Sequence, residues 1–429
     1  MQDAAPRLRS LVGQLLGAPL PLRVRAWDGS EAGPPAAPVL VVHNRRALRR
    51  LLWKPGELGL ARAWVAGDLG IEGDLYSALD LLSGVVWERA EDARGPVAAL
   101  RDPEVRAAVR GLVRMAGSPL PPAPPAEEVR RSRHLHTRRS DRRAISHHYD
   151  VGNDFYEIVL GPSMVYSCAY WEEGGTLEEA QHDKLELVCR KLALKPGQRL
   201  LDVGCGWGSM AVHAARDHGV RVVGVTLSQE QAAYARKRVA DEGLTDRVEI
   251  RVQDYRDVAD GPYDAISSIG MAEHVGAERY LEYAEVLGGL LDPGGRLLNH
   301  QIARRPQRDE SSYAVDAFID AYVFPDGELA PVGTTVAQLE RAGFEVRDVE
   351  ALREHYALTL RRWVANLEAG WSRAVRLTGA GRARVWRLYM AASAVAFERN
   401  QIGVNQVLAV RTSGGTGASG MPLRARTWN

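Results

Sequence analysis

One octapeptide restricts the fold more than any other part of the chain. Leu201-Asp202-Val203-Gly204-Cys205-Gly206-Trp207-Gly208 runs from a short apolar stretch into three glycines at alternate positions. Such a run lets the backbone turn sharply and lie close to a ligand. The spacing is Gly-x-Gly-x-Gly and not the Gly-x-Gly-x-x-Gly of pyrophosphate binders, so a dinucleotide is the weaker expectation. Asp202 sets a carboxylate at the loop, where a cationic ligand or its amino group can be held. Strands are predicted over 199–203, 221–226, 248–252, 263–269 and 296–302, with amphipathic helices between them, such as 229–242 and 277–291. Strand and helix in that alternation predict an α/β, doubly wound, Rossmann-like parallel sheet. In such sheets ligands bind beyond the carboxyl ends of the strands, at the switch point.

The chain has 429 residues, more than one hydrophobic core usually serves, so two domains are expected. Residues 1–115 mix short extended stretches (39–43) with helical periodicity (47–53, 75–82) and form a smaller α+β domain without a catalytic constellation. Residues 116–143 are a linker, proline-rich over 118–125 and then basic. Arg130, Arg131, Arg133, Arg138, Arg139, Arg142 and Arg143 crowd together there with His134 and His136. That run reads either as solvated linker or as a patch for phospholipid headgroups, where each basic residue contributes ~1 kcal/mol. Residues 144–411 form the catalytic domain, and 412–429 a flexible Gly/Ser-rich tail. With 55 basic and 54 acidic side chains the net charge is +1, which argues against nucleic acid as a partner. Only five of the basic residues are lysines (54, 184, 191, 195 and 237), a mark of genome composition before function. Three cysteines are too few for a disulfide framework and fit a reducing cytosol. No apolar run approaches the roughly 20 residues that span a bilayer. A cytoplasmic protein is expected.

The glycine loop resembles the first motif of class I S-adenosylmethionine (SAM) methyltransferases. In that likeness Gln253-Asp254, at the end of the third strand, holds the adenine. The second strand ends without the acidic residue usual for the ribose hydroxyls, and Thr226 and Gln231 can supply neutral hydrogen bonds instead. The resemblance implies a cofactor site of Tyr166, Ser167, Asp202, Gly204, Gly206, Gly208, Thr226, Leu227, Gln231, Gln253 and Asp254. Residues 144 to about 411 are also similar to the cyclopropane fatty acid synthase family. The matching segments include His148–Tyr156, Tyr166–Trp171, Glu273–Gly276, His300–Ile302, Tyr322–Pro325, His355-Tyr356 and Phe397. Residues 63–75 are similar to that family's non-catalytic domain. The family acts with SAM on cis double bonds of lipid acyl chains and holds bicarbonate as general base. Carried over by position, the ion's ligands are Cys168, Glu273, His300 and Tyr356, with the backbone of Ile302.

Each of the four alone has a bland explanation: a buried cysteine, a helix cap, a core histidine, a packed tyrosine. Four such residues in their own motifs beside one cofactor loop outweigh it. An alkene is a weak nucleophile, so water must be kept from a strong electrophile. Attack leaves a carbocation, which aromatic faces stabilise by ~0.5–2 kcal/mol each. Phe155, Phe318, Phe324 and Phe397 fall in family-like segments. Ring closure from that cation gives a cyclopropane, whereas a hydride shift gives a methylene branch that a separate reductase could convert to a methyl branch. Segments 270–276, 324–329 and 397–403 look more like actinobacterial enzymes of the second kind, which make 10-methylene precursors of tuberculostearic acid. The expected protein docks on the inner face of a membrane as a peripheral enzyme on phospholipid acyl chains, with homo-oligomerisation left open. The rivals are a small-molecule N- or O-methyltransferase and a non-enzymatic lipid-binding protein that keeps a SAM pocket. No metal site is expected: neither His147-His148 nor His213 with His218 shows cysteine or carboxylate spacing.

Overall fold

A computed structural model describes residues 3–86, 102–118, 120–129, 151–310, 313–325, 327–412, 417–424 and 426. The arginine run from Arg130 to Arg143 and the His147-His148 pair lie outside the described residues. The chain forms two compact units. The first takes in Met1–Arg130 together with Asp316–Val323 and Thr378–Val395, so it draws two segments from within the stretch that the sequence assigns to the catalytic domain. Its strands are β1 (Arg23–Arg25), β2 (Glu31–Ala32), β3 (Val39–Val42) and β4 (Leu69–Glu72), in the order β2-β1-β3-β4. Its helices are α1 (Ala4–Leu16), α2 (Arg46–Trp53), α3 (Glu57–Val65), α4 (Leu75–Val86) and α5 (Pro103–Ala116). Leu8, Leu22, Val24, Leu48 and Leu112 meet in its core. Buried Asp68 is held there by Arg50 (2.8 Å), Arg46 (3.1 Å) and the Asn44 amide (2.8 Å), so its charge is paired where solvent cannot screen it.

The second unit is built on a seven-stranded sheet. Its strands are β5 (Arg199–Val203), β6 (Arg221–Thr226), β7 (Val248–Val252), β8 (Tyr263–Ile269), β9 (Leu291–Arg304), β10 (Phe344–Ala351) and β11 (Ile402–Arg411). The order is β10-β11-β9-β8-β5-β6-β7; β5 to β9 run parallel, and β11 is antiparallel to both β9 and β10. The helices of the two units are numbered on as α6 (Asn153–Leu160), α7 (Leu177–Leu192), α8 (Ser209–Asp217), α9 (Gln229–Asp241), α10 (Tyr280–Leu290), α11 (Ala317–Tyr322), α12 (Val332–Arg341), α13 (Arg353–Ala369), α14 (Trp371–Thr378) and α15 (Ala380–Glu398). Of these, α11 and most of α15 fall in the first unit.

The sheet is apolar on both faces because helices cover both. Along the strands, successive side chains alternate between two cores. Leu200, Leu298 and Leu408 pack with Val188 and Ala211 of α7 and α8, while Leu201, Leu297 and Val407 pack with Tyr283 and Leu287 of α10. The chain leaves β5 towards β6 and β7, then returns to β8 on the other side, so the switch point lies between β5 and β8. The strands predicted for β5 to β8 have these bounds. The fifth does not: the strand predicted over 296–302 runs from Leu291 to Arg304, so His300 lies well within β9 and not near its end. Its parallel neighbour β8 stops at the pair Ile269–His300, but antiparallel β11 carries the ladder on to Arg304. The tail expected to be flexible is tied down at two points. Met421 packs on the β5-side core and Arg426 bonds Asp348 at 2.9 Å. Among the described residues no helix is long and apolar enough to cross a membrane.

Candidate active site

At the switch point a cleft encloses about 1190 Å3, open solvent included. Ten of the eleven residues expected at the cofactor line it: Tyr166, Ser167, Asp202, Gly204, Gly206, Thr226, Leu227, Gln231, Gln253 and Asp254. Gly208 does not. It caps α8 with a positive φ of 81°, and a side-chain carbon there would come within 3.0 Å of Ala235 on α9. Its role is helix packing, whereas Gly204 (φ 77°) has no room for a Cβ beside Met271 (2.9 Å).

Polar groups in the cleft are partly spoken for. The Thr226 hydroxyl donates to Gln231 Oε1 (2.8 Å), which leaves the amide donors of Gln231 as what this pair offers a ligand. Both Asp254 oxygens accept from the Arg256 guanidinium (2.9 and 2.6 Å), and Gln253 Nε2 donates to the Asp257 carbonyl (2.7 Å). The last two therefore shape the wall more than they contact a ligand by charge. Asp202 differs. Its Oδ1 accepts from Ser267 (2.7 Å), but Oδ2 is buried and without a partner among the described residues. Burial lifts this carboxyl to about 6, offset in part by the Ser267 bond and the Lys184 charge. An orphaned buried acceptor facing the glycine loop fits a ligand that brings an amino group.

Of the four expected ion ligands, Cys168, His300 and Tyr356 are buried and Glu273 is partly buried, and none of them lines the cleft. Cys168 points its thiol at the Ala169 carbonyl (3.2 Å) and the Leu352 carbonyl (3.6 Å), and burial raises its pKa, keeping it a neutral donor. Tyr356 begins one turn after Leu352, whose carbonyl accepts the Tyr356 amide, so both residues gather at that point. The Leu352 amide in turn donates to Val404, the partner of Ile302 in the β9–β11 ladder. Glu273, in the turn after β8, accepts the Ile302 amide on Oε1 (2.8 Å), so that amide is engaged by the carboxylate itself. Its Oε2 is buried without a partner among the described residues, and desolvation lifts the group to about 7.

The tautomer of His300 follows from its neighbours. Lys191 is fully buried on α7 and bonded to Glu350 and to Gln406 Oε1 (2.8 Å). An ammonium only donates, so the Gln406 oxygen must face it and Nε2 must face His300 Nδ1, 3.2 Å away. Nδ1 is then the acceptor and the ring proton sits on Nε2, which is buried and unpartnered among the described residues. Burial, with the Lys184 and Lys191 charges, holds this imidazole neutral. His300 Nε2–H and Glu273 Oε2 are thus a spare donor and a spare carboxyl oxygen, a set that fits a small oxyanion once Glu273 shares a proton.

Several residues escaped the sequence reading. Lys184 on α7 is wholly buried, donates to Ser167 Oγ (3.0 Å) and lies in the electrostatic field of Cys168, Asp202 and His300. Its signal was rarity: two of five lysines in an arginine-rich chain are fully buried, both on this helix. A row of rings also escaped notice. Trp207 of the glycine loop meets Tyr156 (4.7 Å between centroids), Tyr156 meets Tyr166 (5.8 Å), Tyr166 meets Trp363 (5.3 Å), Trp363 meets Tyr356 (6.0 Å), and Tyr356 meets Phe397 (4.8 Å). Phe155 joins at Tyr156 (6.1 Å), Phe324 sits against His274 (5.6 Å), and Phe318 packs on Tyr322 in the first unit. One expectation is overturned. His213 and His218 do join a cysteine and a carboxylate, Cys189 and Glu186, because α7 packs beside α8.

The raised Glu273 value has a measurable consequence. A folded-state pKa above the unfolded one contributes stability that is complete below about 4.3 and is lost as pH rises through about 7. Melting of wild type against Glu273→Gln should therefore diverge between those values, wild type losing roughly 3 kcal/mol relative to the variant. Parallel curves would place that carboxyl in water.

The mycolic acid cyclopropane synthetase family matches residues 136–407. A probable fatty acid methyltransferase of Mycobacterium tuberculosis is 47% identical over 418 residues, 94% of each chain. The cyclopropane-fatty-acyl-phospholipid synthase of Escherichia coli is 41% identical over 261 residues, 61% of this chain and 66% of that one. A tuberculostearic acid methyltransferase of M. tuberculosis is 33% identical over 411 residues, 91% of this chain and 88% of that one. Among solved structures, a mycolic acid cyclopropane synthase complexed with SAH and CTAB is similar with TM-score 0.59 and 33% identity, over 62% of this chain and 97% of that one.

Proposed function

The chain belongs to the mycolic acid cyclopropane synthetase family, SAM-dependent enzymes of lipid modification, and from that premise we propose that it methylates the cis double bond of an oleoyl-type phospholipid chain and releases a methylene-branched chain. The observation that carries this reading is the pair of orphaned atoms, Glu273 Oε2 in the turn after β8 and His300 Nε2 on the neighbouring strand β9, together with a cleft that fits the cofactor.

SAM supplies the electrophilic methyl. Asp202 Oδ2 would accept its amino group, the Gln231 amide would donate to a ribose hydroxyl, and Gly204 and Gly206 would let the backbone approach it. Attack by the alkene would form a C–C bond as the S–CH3 bond breaks and S-adenosylhomocysteine leaves, placing positive charge on the neighbouring carbon. Tyr166, Trp363, Tyr356 and Phe397 present rings to that charge and exclude water, which would otherwise add to it. A hydride then moves from the methyl-bearing carbon, and a proton leaves the methyl carbon to give the exocyclic methylene. Cys168, His300, Glu273 and Tyr356 would hold bicarbonate, which would supply a base small enough to lie beside the chain and take that proton. His300 and Cys168 donate to it, and Glu273, with its pKa near 7, shares a proton with it at little cost.

The methylene branch is favoured by three relatives matched over at least nine-tenths of this chain, all methyltransferases by name. The cyclopropane is the second reading, supported by the Escherichia coli relative. For access to the substrate we assign peripheral docking on a phospholipid surface, with Arg130 to Arg143 as the basic patch. Dioleoyl phospholipid vesicles with SAM test the whole reading. Mass spectrometry should show a gain of one carbon per modified chain, and NMR an exocyclic methylene. Ring protons would select the cyclopropane, and an unchanged lipid would reject both.

A further inference from the structure

A second cluster of titratable side chains lies on the helices that cover the β5 face of the sheet, apart from the site above. His182, Glu186 and Cys189 follow one another at i, i+4 and i+7 and so share a stripe of α7. His213 and Asp217 are i, i+4 on α8, and His218 caps that helix. The packing of the two helices brings the stripes together. One ligand atom each from Cys189, His213 and His218 lies within 4.8 Å of the others. Glu186 Oε2 stands 3.3 Å from His213 Nε2 and 2.8 Å from His218 Nε2.

From this geometry we propose that Cys189, His213, His218 and Glu186 form a tetrahedral site for a zinc-class divalent cation that clasps α7 to the end of α8. Thiolate, imidazole and one carboxylate are the donor set of zinc; calcium and magnesium take oxygen. Ligand atoms around zinc stand roughly 3.3–3.6 Å apart, so the three atoms, within 4.8 Å of one another, would draw in on binding, and Glu186, which stands outside that grouping, would turn towards them from the histidines. The supporting bonds are those a ligand shell needs. His213 Nδ1 is bonded to Asp217 Oδ2 (3.0 Å), which fixes the ring and directs Nε2 at the cluster. Arg190 holds Glu186 Oε1 (2.8 Å) and leaves Oε2 to the histidines. Cys189 and His213 are buried, while His218 (18%) and Glu186 (25%) keep an opening for an ion to enter. On binding, the Cys189 thiol proton passes to solvent and an S–metal bond replaces it. The same helix carries Lys184 five residues earlier, so the clasp would fix the position of the wall behind the cofactor.

The test uses the full chain without a tag, stripped with a chelator and titrated with zinc chloride. One zinc per chain by elemental analysis, a raised melting temperature, and a thiolate-to-metal charge-transfer band on cobalt substitution are expected. Cys189→Ser should lose that band, and partly exposed His218→Ala should weaken zinc by at least about 100-fold with an unchanged circular dichroism spectrum. Glu186→Gln provides a second variant should His218→Ala not fold. His182→Ala, whose side chain is 59% exposed, should bind as wild type does. Absence of stoichiometric zinc, a cobalt spectrum without the thiolate band, undiminished affinity in His218→Ala, or loss in His182→Ala would each overturn the site. None of these readouts uses turnover, so failure here leaves the lipid reading untouched, and the converse.

Discussion

Replacing Glu273 by glutamine is expected to cut turnover by roughly 10²–10⁴-fold while SAM affinity stays unchanged. The two effects separate because Glu273 is absent from the lining of the cleft. Glutamine keeps the shape and the Ile302 contact but has no carboxyl oxygen to take or return a proton. The amide also carries no charge, so it removes the titration near 7. With wild type at fixed bicarbonate, the protonated carboxyl is the form that can lie beside an anion. Bicarbonate should therefore bind less tightly as pH rises above about 7, and in the glutamine variant its binding should show no such pH dependence. Stopped turnover with lost SAM binding would instead mark Glu273 as a structural support of the cleft. Normal turnover would remove the proposed ion site altogether.

The second large effect is expected from Gln406→Glu, a change of one amide nitrogen to oxygen far from any ligand. Glutamate would accept from Lys191 and also from His300 Nδ1–H, so the imidazole would move its proton to Nδ1 and present a bare Nε2. A donor to the anion becomes an acceptor, and the cost should be about 10–100-fold in turnover with a raised requirement for bicarbonate. Thermal stability and SAM affinity should change little, since Lys191 keeps Glu350 and Asp348 and gains a third carboxylate. A merely structural role for Gln406 would reverse that pattern, with melting lowered and bicarbonate dependence unmoved. Gln406 is thus a positioning residue, acting through His300.

The parts of this architecture that depend on local pattern were legible in the chain. Strands β5, β6 and β8 stand out as short, near-continuous buried runs because each is covered on two faces and bounded by turns, edge strand β7 alternates instead, and the glycine loop announced the cofactor edge. The β9–β11 edge was not legible. Strand β10 is half-exposed along most of its length, and β11 carries Asn405 and Gln406 in mid-strand, polar residues that break an apolar run because one of them orients His300. Cys168 and Tyr356 could be placed only by likeness to a family, since Leu352, the point where both meet, has no marking of its own. The clasp of Cys189, His213 and His218 failed for the same reason: each stripe is visible on its own helix, but the packing of two helices is not written in either. Lys184 is the reverse case. Its position in an arginine-rich chain was plain to see, and only the burial shows what it signified.

The row of tilted and edge-on rings from Trp207 to Phe397 has an optical corollary. It puts one of the ten indoles, Trp207, in the lining of the cleft, and a second, Trp363, between the cleft residue Tyr166 and the expected ion ligand Tyr356. Their emission should change when either ligand enters, Trp207 answering to the nucleoside and Trp363 to the hydrocarbon. Loading of this enzyme can then be followed by its own fluorescence, without dye or label, and single Trp→Phe exchanges would assign each signal to its ligand.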